Sequence, residues 1–234
     1  MYFPWLGQLN QAYLADAFVF YSDVQFARGF INRVQLLING RQELITVPTL
    51  GSKRSLINKL SLDGNQDWQS RHRRKLHESF ENSEHSSVAL KIFNQVLACQ
   101  HSNLASLSAE SVKVLCQEIF PKNCPAFFDS SDFDRDVSGT AALIHICKEL
   151  SATSYLTGHG AKNYIDHTLF EDENIKLEFI DYHISPYPQY LNQFVTPYVS
   201  SLDAIARVGS AEAAKLLQST PLSGRLPDSL AKFE

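Results

Sequence analysis

The stretch Asp16-Ala-Phe-Val-Phe-Tyr-Ser-Asp-Val-Gln25 decides how this chain is interpreted. The run from Val19 to Tyr21 consists of β-favouring residues, and it stops at the polar pair Ser22 and Asp23. In an open α/β sheet, ligands bind at the carboxyl ends of the strands. We therefore expect a ligand-binding cleft where this strand ends.

The sequence also predicts a helix before this strand and a β-hairpin after it. Leu6 to Ala15 has helical residues after Pro4, so a helix precedes the strand. Asn39-Gly40 separates two β-rich runs, which predicts a type I′ turn because both central residues of that turn take positive φ. We place the hairpin strands at roughly residues 33–38 and 43–47, and Pro48 ends the second strand because it has no N–H to donate.

The rest of the chain alternates predicted strands with amphipathic helices. Short strands are predicted near residues 126–128, 153–157 and 175–180, and the helices of residues 68–120 form a helical lobe. This order predicts a single α/β domain over residues 1–234, with a mainly parallel Rossmann-like sheet flanked by helices and an inserted antiparallel hairpin. A loose tail is expected over residues 221–234.

Composition narrows the classes of function. The chain has 234 residues, 44% of them hydrophobic, with a net charge of −4 and a pI near 6.1. This charge gives no broad attraction for nucleic acid, so no nucleic-acid partner is predicted. There is no apolar run of the roughly 20 residues that a membrane helix requires, so we expect no membrane insertion and a cytoplasmic location.

The cysteines are widely spaced and form no C-x-x-C pair. A zinc site or redox dithiol is therefore not predicted, and buried, reduced thiols are the favoured interpretation. The sequence also contains no G-x-S-x-G nucleophile motif. We predict neither a metal nor a cofactor. The four positions are Cys99, Cys116, Cys124 and Cys147.

Several motifs together resemble the WbqC-like proteins, a bacterial family associated with O-antigen and other surface-polysaccharide gene clusters. The opening motifs are Tyr2-Phe-Pro-Trp-Leu-Gly7, the strand end from Asp16 to Gln25, and Phe30-Ile-Asn-Arg33. The later ones follow in the same order: Thr46-Val-Pro48, Tyr155-Leu-Thr-Gly158, Lys162-Asn-Tyr-Ile-Asp166, Tyr187-Pro-Gln189 and Ser200-Ser-Leu-Asp203. The resemblance implies transfer of an amino acid such as glycine during O-antigen assembly.

The chain departs from the family pattern at four places. Ser22 stands where a second acidic residue is usual, Phe30 where Trp is usual, and Val34 where Asn often follows the Asn-Arg pair. Members also place an apolar strand ending in Gln-Pro before the Tyr-Phe-Pro motif, whereas here Met1 precedes Tyr2 directly. Either the start lies upstream or that strand is absent, and we expect a version extended upstream to be more stable or more active.

Four strand ends are expected to meet at the predicted cleft. They are Ser22 to Gln25, Asp129 to Ser131, Gly158 to Gly160, and Asp181 to Tyr182. Gly158 and Gly160 stand between a strand and a helix, an order that brings backbone N–H groups to an anion, although a plain tight turn explains them equally well. The predicted substrate-binding residues are Gln25, Arg28, Asn32, Arg33, Ser131, Gly158, Gly160, Tyr187 and Gln189.

Two residues are candidate bases. Acyl transfer to an amine needs a base for the ammonium proton and donors for the developing oxyanion. Asp23 or His72 is the candidate base, and Asn32, Gln25 or Arg28 are the candidate donors. His72 lies on the apolar face of its helix, where a structural role is the alternative. Asp23 has an alternative role too, as the ion-pair partner of Arg33.

Three hypotheses about function follow. The first is an aminoacyl transferase that acts on an amino-sugar intermediate. The second is a protein that binds a nucleotide or nucleotide sugar, and the third is a non-catalytic partner of a polysaccharide-synthesis complex. The first two predict small-molecule partners, namely an aminoacyl donor with an amino sugar or a nucleotide sugar. The aromatic side chain of Tyr187 would either line a sugar-like ligand or cover the core.

Overall fold

The computed structural model describes residues 1–27, 30–52, 54–180, 185–217 and 221–223. Helices and short strands alternate along the chain. The helices are α1 (Leu6–Tyr13), α2 (Trp68–Ser79), α3 (Ser86–Ala98), α4 (Leu104–Ile119), α5 (Gly139–Glu149), α6 (His167–Asp172) and α7 (Ser201–Lys215). The strands are β1 (Ala17–Phe20), β2 (Arg33–Ile38), β3 (Arg41–Thr46), β4 (Thr49–Leu50), β5 (Ser61–Leu62), β6 (Ala126–Asp129), β7 (Ser154–Thr157), β8 (Lys176–Ile180) and β9 (Pro221–Ser223).

The hairpin of β2 and β3 confirms the clearest local prediction. Arg33 pairs with Thr46 and Ile38 with Arg41 in an antiparallel register. Asn39 and Gly40 have φ values of 50° and 75°, the positive angles that a type I′ turn requires.

Two parallel strand pairs stand where the sequence predicts one larger sheet. β1 pairs in parallel with β6, with Ala17 opposite Ala126, and β7 pairs in parallel with β8, with Ser154 opposite Lys176. Within the described parts of the chain the strands form four small sheets and not a continuous one. The mixed α/β class is thus confirmed, and among the described strands β1 and β7 each pair on one side only.

Helices α2, α3, α4 and α7 pack together with α1 and the hairpin around the larger hydrophobic core. α4 begins at Leu104 because Asn103 caps it: the Asn103 side chain accepts from the Ser106 N–H at 2.9 Å. α7 continues past Gly209 through a kink at which this glycine has φ 80°.

A smaller core lies on the side of β7 and β8. It joins residues of α5 and α6 to these strands, with Phe170 and Phe179 among the most buried. β9 pairs antiparallel with β8, so residues 221–223 form a strand where a loose tail was expected, and residues 224–234 lie outside the described part. Over the described ranges, no helix is both long enough and apolar enough to cross a membrane.

Candidate functional site

A cleft of about 1090 Å³ lies between β1 and β7. One end is polar and consists of residues that follow β1 and β6. The rest is mainly apolar, with side chains of α5 along one wall. The residues at the polar end are Tyr21, Asp23, Ser131, Asp132 and Arg135, and the apolar part includes Phe18, Val19, Leu143, Ile146, Cys147, Leu150 and Leu156.

The polar end forms because β1 and β6 are parallel and in register. Phe20 is opposite Asp129, so the residues that follow each strand emerge side by side. The Ser22 N–H donates to Ser130 Oγ at 2.9 Å, and the Ser22 hydroxyl donates to Asp129 Oδ1 at 2.5 Å. Ser22 therefore links the two strand ends.

Asp23 makes an ion pair with Arg135 at the centre of this end. Arg135 Nη2 donates to Asp23 Oδ2 at 2.6 Å, and the Ser130 hydroxyl donates to Asp23 Oδ1. Arg135 also donates to the carbonyl of Ser130, and its guanidinium lies 5.5 Å from the centre of the Tyr21 ring. The arginine side chain is 7% exposed and that of Asp23 is 25% exposed, so the carboxylate is the more accessible partner.

The pKa of the Asp23 carboxyl lies below its ordinary value of 3.8. Partial burial acts to raise this pKa, but the hydrogen bonds from Ser130 and Arg135 and the charge of Arg135 outweigh it. The carboxylate therefore stays ionised near neutral pH and is a weak proton acceptor. It is well suited to bind a cationic group or a hydroxyl.

His72 lies away from the cleft, in the larger core. Its side chain is buried, with Nδ1 3.2 Å from the Tyr2 hydroxyl and Nε2 3.2 Å from the Thr46 carbonyl oxygen. Both contacts are satisfied when the tyrosine donates to Nδ1 and Nε2–H donates to the carbonyl. Burial lowers the pKa of His72 to about 4, with charges of Arg71 and Lys75 adding to the effect and the Thr46 contact opposing it. The geometry favours the structural alternative.

Two residues of the opening stretch that were predicted to bind the substrate have structural roles instead. Asn32 is buried and its Nδ2 donates to the Val47 carbonyl at 2.8 Å, which ties the start of β2 to the end of β3. Arg33 is the first residue of β2, and the ion-pair partner of Asp23 is Arg135, so the Arg33–Asp23 pair that the sequence left open is not what forms.

The predicted residues Gln25, Gly158 and Gly160 do not line the cleft. Gln25 is exposed and makes a bridge with Leu56, while Arg28 is outside the described residues. Gly158 caps a short 3₁₀ turn, and neither it nor Gly160 lines the cleft. Of the four strand ends, the first two converge; residues 181–182 are not described.

Tyr187 and Gln189 belong to a buried polar network. The Tyr187 hydroxyl donates to Asp203 Oδ2 at 2.9 Å, and Gln189 Nε2 donates to the Thr196 carbonyl at 2.8 Å. Gln189 Oε1 accepts from the Thr196 N–H at 2.9 Å. Both residues and Asp203 are buried, and Asp203 also contacts Arg207 at 3.4 Å. These contacts engage the polar atoms inside the protein, which supports the core-covering alternative.

Asp23 and Ser131 are the predicted site residues that the structure brings together. Arg135 was missed, because its partner is 112 residues away in sequence and no local pattern links them. A weak signal was present, since Asp134-Arg-Asp136 places one arginine among acids shortly after β6. Among the residues that the structure describes, no group of three or more His, Cys, Asp or Glu side chains is placed to hold a metal ion.

Comparison with known proteins places these features in a family. The chain is 29% identical over 222 residues to the uncharacterized protein Rv1507c of Mycobacterium tuberculosis, an alignment that covers 93% of this chain and 94% of that relative. No solved structure matches the chain. The family model of the WbqC-like proteins matches residues 1–215. The chain therefore belongs to the WbqC-like protein family.

Proposed function

We propose that the protein is a transferase that binds its substrate at the polar end of the cleft and transfers an aminoacyl group, such as glycyl, to an amino-sugar intermediate of O-antigen or surface-polysaccharide synthesis. The observation that carries this proposal is the accessible, ionised carboxylate of Asp23 in a cleft large enough for a nucleotide sugar. An amino sugar carries the cationic group that this carboxylate would bind.

The proposed reaction joins the acceptor nitrogen to the acyl carbon. The bond between that carbon and the donor's leaving group breaks, the leaving group takes the electron pair, and the acceptor ammonium loses its proton. Asp23 positions the ammonium, and the proton goes to water or to the leaving group, because the low pKa of Asp23 makes its carboxylate a weak base.

We further propose that the two parallel strand pairs are parts of a Rossmann-like sheet. In such a sheet the ligand binds outside the carboxyl ends of the strands, which is where Ser131 and Arg135 lie. This arrangement would place the acceptor at the polar end and leave the apolar part of the cleft outside the reaction.

Binding of a nucleotide sugar without transfer is the second candidate. The low pKa of Asp23 favours it, since a salt-bridged carboxylate holds a ligand better than it removes a proton. Tyr21 also presents its ring beside the Arg135 guanidinium, a surface on which a planar base can stack.

Product formation and ligand binding test these candidates separately. Purified protein would be mixed with glycyl-tRNA or glycyl adenylate and with UDP- or dTDP-linked amino sugars, and mass spectrometry would follow the mass of a glycyl group on the sugar. We expect product with the intact protein and at least about a tenfold loss with Asp23→Asn, which keeps size but removes charge. Asp172→Asn, at an exposed position on α6, is the matched control.

Thermal melting separates the outcomes that lack product. A melting shift with nucleotide sugar alone, lost in Asp23→Asn, would favour the binding protein. A protein that gives no product and no shift with any of these compounds would contradict both candidates and leave the non-catalytic partner.

A further inference from the structure

Ser130 contacts the Asp23 carboxylate from inside the protein, at the polar end of the cleft. It follows β6, one position beyond the Phe20–Asp129 pair, so the parallel register places it beside the segment that follows β1. Ser130 is fully buried, whereas the Asp23 side chain is 25% exposed. Ser130 is therefore an internal neighbour of the accessible carboxylate.

Backbone amides fix the direction of the Ser130 hydroxyl. The Ser22 N–H donates to Ser130 Oγ at 2.9 Å, and the Asp23 N–H approaches the same oxygen at 3.5 Å. A serine hydroxyl has two lone pairs that accept and one hydrogen that it donates, while an ionised carboxylate only accepts. Because the amides engage the lone pairs, the hydroxyl hydrogen is directed to Asp23 Oδ1.

The backbone of Ser130 also orients the group that binds the second carboxylate oxygen. The Ser130 carbonyl accepts from Arg135 Nη1, and Nη2 of the same guanidinium donates to Asp23 Oδ2 at 2.6 Å. The side chain of Ser130 thus holds Oδ1, and its backbone holds Oδ2 through Arg135.

A short 3₁₀ turn (Ser130–Asp132) keeps Ser130 in place. The Asp129 side chain accepts from the Ser131 N–H at 2.9 Å, and the Asp129 N–H donates to Asp132 Oδ2 at 3.2 Å. These two contacts cap the turn in both directions. Ser130 is therefore fixed by β6 on one side and by a capped turn on the other, as a residue that orients a site side chain must be.

Ser111 shows how a buried serine with a structural role differs. It is fully buried on α4, and its hydroxyl accepts from the Phe3 N–H at 3.0 Å and donates to the Ser108 carbonyl at 2.7 Å. Both serines satisfy a backbone amide that is distant in sequence. The Ser111 hydrogen goes to a carbonyl of its own helix, whereas the Ser130 hydrogen goes to a partly exposed carboxylate in the cleft.

We propose that Ser130 is a positioning residue, which holds the Asp23 carboxylate in one orientation before the substrate binds. A carboxylate side chain without such contacts samples several rotamers, and fixing it in advance lowers the entropic cost of binding a cationic group. Ser130 does not line the cleft itself. The inference therefore rests on the proposed function, because Ser130 acts on the substrate only through Asp23.

Titration of the Asp23 carboxyl by NMR tests this contact without a substrate. Burial raises the pKa of this carboxyl, and the hydrogen bonds from Ser130 and Arg135 lower it. Ser130→Ala removes one of the lowering contacts, so the pKa of Asp23 should rise. Ser111→Ala is the matched control, because it also removes a buried hydroxyl that accepts from one amide, and it should leave the pKa of Asp23 unchanged.

The Ser130 hydroxyl proton gives a readout that needs no variant. In the original protein this buried proton should exchange slowly with water, and its chemical shift should follow the ionisation of Asp23. This measurement tests the contact even if Ser130→Ala does not fold. A hydroxyl shift that stays constant while Asp23 titrates would contradict the proposal.

Product formation tests the positioning role. Ser130→Ala should lower kcat/KM for glycyl transfer by about three- to tenfold, the effect of one hydrogen bond, while Ser111→Ala should stay within about twofold of the original. In the Asp23→Ala variant, adding Ser130→Ala should have almost no further effect on kcat/KM, because no carboxylate remains to be held.

Three further results would overturn the proposal. They are an unchanged pKa of Asp23 in Ser130→Ala, equal losses of kcat/KM in Ser130→Ala and Ser111→Ala, and the full loss when Ser130→Ala is added to Asp23→Ala. If the original protein forms no product, a raised pKa of Asp23 in Ser130→Ala would still support Ser130 as the residue that positions this carboxylate, and the transferase proposal alone would fail.

Discussion

Acidification tests the structural role of His72. The expected loss of folding stability follows from the pKa of this buried side chain. The pKa of His72 is about 4 in the folded protein, against 6.5 for an unperturbed histidine. A folded-state pKa below the unfolded value gives stability that is present above pH 6.5 and lost as the pH falls toward 4. Each pH unit within this window costs about 1.4 kcal/mol, so lowering the pH from 7 to 5 should cost about 2 kcal/mol.

Urea denaturation at pH 7 and pH 5 measures this loss in the original protein and in His72→Gln. Glutamine offers a donor and an acceptor but does not titrate, so the variant should lack this part of the pH dependence. His77→Gln, at an exposed histidine on the same helix, should keep it. Equal pH dependence in the original and His72→Gln would refute the reasoning, because it would mean that the burial of a neutral imidazole makes no contribution.

The remaining predictions concern the hairpin, the thiols and the ion pair. Gly40→Val should lower the free energy of unfolding by about 1 kcal/mol or more, because a β-branched residue resists φ 75°; an unchanged urea midpoint would contradict this. The prediction of buried thiols is confirmed for Cys116 and Cys147 and wrong for Cys99, which is exposed. Alkylation of the native protein followed by mass spectrometry should therefore label Cys99 first and Cys116 last, and fast labelling of Cys116 would contradict its burial. Arg135→Ala should raise the pKa of the Asp23 carboxyl in an NMR titration, and an unchanged value would show that the pair has no electrostatic effect.

Local features of the sequence predicted local structure well. Asn39-Gly40 defined the hairpin because its positive φ values are a property of two adjacent residues. The apolar run before Ser22 predicted β1, which ends within one residue of the expected position. Periodic apolar residues likewise predicted the helical lobe of residues 68–120, whose first helix, α2, begins at Trp68.

Contacts between segments that are far apart in the chain could not be predicted from the sequence. Asp23 was singled out, but its partner was sought in Arg33, ten positions away, whereas Arg135 is its partner in the fold. The parallel pairing of β1 with β6 decides this choice, and register between distant strands has no local signature. Tyr187 and Gln189 show the same limit, because an aromatic or amide side chain looks alike in sequence whether a ligand or Asp203 satisfies it.

Burial and charge act in opposite directions on the pKa of the Asp23 carboxyl. Burial raises this pKa, while the hydrogen bonds from Ser130 and Arg135 and the charge of Arg135 lower it, and the second effect is the larger one. Arg135 Nη2 lies 2.6 Å from the carboxylate and the arginine side chain is only 7% exposed, so a ligand that displaced Asp23 would leave a buried charge without a partner. Asp23 is therefore held as an ionised anchor, and a transfer reaction at this site must deliver the acceptor's proton to a group other than Asp23.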